Sequence, residues 1–162
     1  MVIAKALDNP DESMNVLLVG NNPGEVSDIY DHISSFKRPI FRIAIAFNLI
    51  RIFRRIRKFK PASILIDDRL NRKRLRKLIQ RLHRNPNTSE IPVTLLKSTN
   101  DEFGIRTGID EYILKEGLTA EKLRNTILNS RRLRRTSIYL YKSYKMSRNI
   151  FQKLWLELRY RF

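Results

Sequence analysis

Asp67 closes a short apolar run, Ala62-Ser63-Ile64-Leu65-Ile66-Asp67, and Asp68 follows it directly. Such a run reads as a buried strand, and its placing delivers carboxylates to the strand's carboxyl tip. In an open parallel α/β sheet the crevices that take ligands lie outside that edge. A carboxylate there can accept a phosphoryl group, hold a hard cation, or do neither. Other chemistry finds little support. The chain has no cysteine, which removes disulfides and Cys-bearing zinc sites. His32 and His83 stand far apart and read as surface histidines. Gly20-Asn21-Asn22-Pro23-Gly24 lacks the P-loop lysine and the dinucleotide spacing. No nucleophile–base pair stands out, so binding is expected rather than turnover.

The elements that must position Asp67 alternate along the chain. Asn15-Val16-Leu17-Leu18-Val19-Gly20 reads as a first strand. A helix from about Glu25 to Phe36 then presents Val26, Ile29, Tyr30 and Ile33 on one face. A second strand spans Ile40 to Ala46, and Asn48 is placed to cap a helix that runs to about Phe59. After the Asp67 strand, Leu70, Leu75, Leu78, Ile79 and Leu82 mark a third helix, stopped by Asn85-Pro86-Asn87. Strand four is Ile91 to Lys97 and strand five is Glu111 to Lys115. Thr119 caps a last helix through Leu123, Ile127 and Leu128. Five short strands alternating with helices imply a doubly wound α/β fold, a parallel sheet covered on both faces.

This order resembles the receiver domain of two-component response regulators, over about residues 14–130. Val16-Leu17-Leu18-Val19 with Pro23 in the next turn, Pro61 leading to Ile64-Leu65-Ile66-Asp67, Ile91-Pro92-Val93 and Gly108 to Lys115 carry the likeness. The resemblance implies the flavodoxin-like receiver fold. It also implies Asp67 as phospho-acceptor, Lys115 as the lysine after strand five, and Tyr112 as the aromatic switch. Other positions depart from the pattern. The acidic pair that helps to hold Mg²⁺ falls on Gly20-Asn21-Asn22, which has no carboxylate. That leaves Asp67 and Asp68 as weak metal ligands, because Mg²⁺ favours anionic oxygens in octahedral geometry. The hydroxyl switch position falls on Lys97, with Ser98 next, and Glu116 stands where a proline is usual.

Lys97 and Lys115 beside Asp67 would favour its ionised form and imitate a neutralised site with neither metal nor phosphate. The other reading has Lys97 in solvent and the site decayed. Between Lys97 and Gly108 lie only ten residues, space for at most a short helix where receivers place a longer one. An altered partner surface and a harmless loop deletion both fit that shortening.

The chain of 162 residues carries 33 Lys and Arg against 16 acids, a net charge of +17. Such an excess favours polyanionic partners. Arg54, Arg55, Arg57 and Lys58 crowd the second helix, and the third carries Arg72 and Arg76 among eight cations from Arg69 to Arg84. These two helices are expected as neighbours in a receiver-like arrangement, though partly on opposite sheet faces, so that their charges need not fuse into one patch. The segment 131–162 holds ten Lys or Arg and one acid, beginning with Arg131, Arg132, Arg134 and Arg135. Its apolar residues Ile150, Phe151, Leu154, Trp155, Leu158 and Phe162 recur at helical spacing, with Lys153 on another face. This basic amphipathic extension fits an anionic membrane surface, a docking partner, a homodimer contact, or packing on its own domain.

The expected organisation is an N-terminal extension (1–13), a receiver-like domain (14–130) and a C-terminal helical extension (131–162). No apolar run approaches the ~20 residues of a spanning helix, and no signal-peptide pattern opens the chain, so a cytoplasmic protein is expected. The functional expectation is a response-regulator-like signalling protein, a pseudo-receiver that binds a kinase or a downstream target. The competing class uses the same scaffold to bind nucleic acid or an anionic membrane surface.

Overall fold

A computed structural model describes residues 13–37, 40–47, 52–99 and 108–159. Five parallel strands form one sheet: β1 (Met14–Val19), β2 (Phe41–Ala46), β3 (Ser63–Asp67), β4 (Val93–Lys97) and β5 (Glu111–Leu114). Their order across the sheet is β2-β1-β3-β4-β5. Strands β3 and β4 are buried along their whole length, which is why they read as unbroken apolar runs rather than alternating ones. The edge strands β2 and β5 expose part of theirs. Register pairs Val19 with both Ala46 and Ile66, and Asp67 with Leu96. The carboxyl tips of β1, β3 and β4 therefore end together at one edge.

Three of the described helices begin on a local signal. In α1 (Pro23–Ser34) the Asn22 side chain accepts from Gly24 N at 3.1 Å, and Pro23 occupies the first turn, where its missing N–H costs nothing. In α3 (Arg72–Arg84) Asn71 accepts from Arg74 N. Thr119 accepts from Lys122 N at the start of α4 (Ala120–Arg159). The cap expected from Asn48, the N-terminal extension up to residue 12 and the loop 100–107 lie outside the described residues.

Two apolar clusters fill the faces of the sheet. One joins Ile52 and Ile56 of α2 (Ile52–Phe59) with Leu75, Leu78, Ile79 and Leu82 of α3. The other joins Val26, Ile29 and Ile33 of α1 with Leu123 and Ile127 of α4. The helices α2 and α3 thus share one face, contrary to the expectation that they lie partly on opposite ones. The cause is topological. Both crossovers, β2 to β3 and β3 to β4, run in the same direction across the sheet, and right-handed crossovers then put both helices on the same side.

The last helix runs on well past its docked part. The boundary placed at 130/131 falls inside α4, which continues unbroken for 40 residues, about 60 Å at 1.5 Å per residue. Its first part docks through Leu123, Ile127, Ser130 and Arg131, all buried. Beyond Ile138 every described side chain is exposed, so this part of the helix does not pack on its own domain.

Candidate functional site

The carboxyl edge of the sheet gathers four charged side chains around Asp67. Strand β3 carries Asp67 into full burial, and Lys115, one residue past β5, reaches across to it. Lys115 Nζ donates to Asp67 Oδ1 at 2.7 Å and to Glu25 Oε2 at 2.7 Å, and stands 3.9 Å from Asp68 Oδ1. Arg69 pairs with Glu25 through its guanidinium, and its backbone N–H donates to Asp67 Oδ1 at 2.8 Å. Three carboxylates and two cations thus form one network.

Glu25 is the residue that sequence reasoning missed. It read only as the start of a helix, yet it brings a carboxylate from the first turn of α1 to the edge where the β1 turn supplies none. Its signal was present: Asn22 and Glu25 have capping-box spacing, and Asn22 Nδ2 donates to Glu25 Oε1 at 3.2 Å. The Lys115 hydrogen bond holds the Glu25 carboxyl below its ordinary range, against the opposing effect of burial, with the Lys115 and Arg69 charges and the Asp67 carboxyl adding to the lowering.

The sign of the linkage follows. A lowered folded pKa contributes stability above the unfolded value of about 4.3, and that stability is lost as pH falls through the folded one. Glu25→Gln is therefore expected to unfold at lower urea concentration than wild type at neutral pH. The gap should close on acidification below about pH 4. Parallel urea titrations across pH check this.

The remaining site candidates lie as follows. Ser98 gives both its backbone N–H and its hydroxyl to Asp68, each at 2.9 Å. Lys97 ends β4 nearly buried, with its ammonium 5.9 Å from the Tyr112 ring centroid. The hydrogen bonds to Asp67 come from the Lys115 ammonium and the Arg69 backbone N–H, while the Arg69 guanidinium pairs with Glu25. Tyr112 is 39% exposed.

Arg72 and Arg76 stand exposed on α3. Arg132 is exposed on α4, whereas Arg134 bonds Ser89 O and pairs with Asp110 at 3.2 Å. Arg131 and Arg135 line a cleft of about 630 Å³ at the opposite, amino edge of the sheet. Lys153 and Trp155 are exposed near the far end of α4.

The donor set can be tested against Mg²⁺, a hard ion that wants octahedral oxygen ligation. Among the described residues no group of three His, Asp or Glu side chains has metal-holding geometry. Both oxygens of Glu25 and of Asp68 accept hydrogen bonds from Lys115, Arg69, Asn22 or Ser98, and so does Asp67 Oδ1. Only Asp67 Oδ2 is left, buried and without a protein partner. As arranged, these residues do not fit the ion.

No protein-family model matches the chain, and no curated protein gives a significant sequence match. Solved structures do match. A response regulator from Desulfuromonas acetoxidans is 22% identical with a TM-score of 0.61, covering 74% of this chain and 98% of its own. The receiver domain of a Pseudomonas aeruginosa sensor histidine kinase, with magnesium in its active-site cleft, is 18% identical at TM-score 0.61 with the same coverage. The N-terminal domain of the nisin resistance regulator is 22% identical at TM-score 0.60, covering 74% of this chain and 99% of its own. At such identities the likeness is one of architecture, and it agrees with the single sheet of five parallel strands flanked by helices. The chain has the fold of response-regulator receiver domains.

Proposed function

We propose that this chain is a pseudo-receiver: a signalling module that works by binding a protein partner, a kinase or a downstream target, with weak or absent phosphorylation at Asp67. One observation carries the reading. Asp67 is fully buried while Lys115 grips it and Glu25 together. Phosphoryl transfer needs a carboxylate oxygen free to attack, yet one oxygen is engaged and the other is enclosed. Lys115 and Arg69 already bring as much positive charge to the carboxylates as one divalent cation would, so the resting state is electrostatically satisfied. Ser98, committed to Asp68, has no hydroxyl hydrogen left for an incoming phosphoryl oxygen.

The test is an amide-resolved NMR titration with Mg²⁺ and beryllofluoride, which stands in for an aspartyl phosphate. The expected result is no shift at Asp67, Tyr112 or Lys115 at millimolar Mg²⁺. Saturable shifts there, abolished by Asp67→Asn, would establish a working phospho-switch and end the pseudo-receiver reading.

A second reading, polyanion binding on a receiver scaffold, is favoured by the shared face of α2 and α3. Those helices contain no acidic residue, and Arg54, Arg55, Arg57, Lys58, Arg72 and Arg76 are among their exposed cations. Nucleic acid bound there should lose affinity steeply with salt, by roughly one power of salt concentration per phosphate neutralised.

A further inference from the structure

We infer that the projecting half of α4 is a membrane-surface helix that lies on anionic lipid. From Tyr139 onward every described side chain is exposed, Lys142 alone meeting the domain through its ion pair with Glu90, and Leu140, Tyr144, Ile150, Phe151, Leu154 and Trp155 are each between 51 and 68% exposed. At about 100° per residue these six fall within one arc of about 140°. Lys142, Lys145, Arg148 and Lys153 fall in the arc opposite, joined by Asn149 and Gln152. Tyr141 and Leu156 fall on the cationic side, and the small polar residues Ser143 and Ser147 fall within the apolar arc. From Tyr139 to Leu156 the helix holds four cations and no acid.

Three observations select the occupant of the apolar arc. The first is that its own domain cannot cover it. The stripe that docks α4 on the sheet, Leu123, Ile127, Ser130 and Arg131, continues into the cationic arc rather than the apolar one. A straight helix therefore turns its apolar residues away from the sheet and leaves them free to meet a flat surface.

The second is charge. A second copy of this helix would bring four cations beside four more, with Glu157 just past this stretch as the one acid of the projecting half, and like charges at flanking positions oppose pairing. An anionic headgroup layer instead attracts each of them. The third is the shape of the apolar surface: an arc this broad, with Trp, Tyr and Phe, exceeds the narrow seam of a coiled coil and matches a helix lying at the lipid interface. Crossing the bilayer is a different matter, and no helix among the described residues is long and apolar enough for it. This surface is independent of how Asp67 is used.

The full chain should cosediment with phosphatidylcholine vesicles containing phosphatidylglycerol. Its affinity should be at least about tenfold higher than for phosphatidylcholine alone, given that each Lys or Arg near an anionic surface adds to binding. Trp155 is the single tryptophan, and its emission should shift to the blue on binding. The paired substitution Phe151→Asp with Leu154→Asp, at exposed positions that leave the folded domain intact, should abolish cosedimentation while urea unfolding stays unchanged. Failure to cosediment overturns the proposal. So does a doubled mass with Trp155 already blue-shifted in the absence of vesicles, which would make this arc a contact between copies. Binding to duplex DNA but not to vesicles, with unchanged Trp155 emission, overturns it as well.

Discussion

Replacing Lys115 with methionine is expected to lower the free energy of unfolding at neutral pH by about 3 kcal/mol, the cost of leaving a buried charge without its partner. Methionine keeps much of the lysine stem, so the loss isolates the ammonium. Without it Asp67, whose side chain is 1% exposed, retains one hydrogen bond, from Arg69 N. Glu25 and Asp68 remain close by and repel it. Adding Asp67→Asn should restore much of the loss, because a neutral amide tolerates that burial where a carboxylate does not. A double-mutant cycle by urea unfolding should therefore give a coupling above about 1 kcal/mol. Independent, additive losses would mean that Lys115 does not hold Asp67 in solution.

Gly20→Ala should cost about 2 kcal/mol, the usual scale for forcing extra volume into a packed site. A Cβ at Gly20 would stand 2.6 Å from Val26 Cγ2. Val26 is buried, and a β-branched side chain has little freedom to swing aside, so the backbone between β1 and α1 must move. That movement would carry Glu25 with it and disturb its grip on Lys115. Gly24→Ala is the matched control. There the nearest atom to a new Cβ is Asn22 Oδ1 at 3.5 Å, an ordinary contact. In the first turn of α1 this change should stabilise by about 0.5 kcal/mol through the lower entropy of the unfolded chain. Urea midpoints moving in opposite directions for the two alanines would confirm that close approach, rather than chain flexibility, explains the glycine at position 20.

Much of this architecture was legible because its signals are local. Strands such as Ile64 to Asp67 announce themselves by unbroken apolar runs, and Thr119 caps the last helix in the way its side chain allows. Asp67 at a strand tip followed from the same reading. What stayed hidden depends on direction. Strand β4 is buried along its whole length, so alternation could not tell whether Lys97 faces Asp67 or Tyr112. Glu25 lies 90 residues from Lys115 in the chain, and only the sheet order brings them to 2.7 Å. The shared face of α2 and α3 required the same order together with crossover handedness. Whether the last helix continues or ends at Arg131 to Arg135 stayed open in the sequence because its apolar positions change faces there: a helix that leaves its sheet no longer needs the stripe that docked it.

That long helix has a mechanical consequence. Among the described residues its last ion pair with the domain is Lys142 with Glu90, at 3.2 Å and solvent-exposed. From Lys142 to Arg159 the rod runs on for about 25 Å at 1.5 Å per residue. It therefore behaves as a lever whose fulcrum is a weak, wet contact, worth at most about 1 kcal/mol. A swing of about 20° at the fulcrum carries the tip some 9 Å, roughly the diameter of a helix. The root of the lever, Ala120, is five residues from Lys115. A small displacement at the charged edge of the sheet is thus geometrically amplified at the far end of the chain.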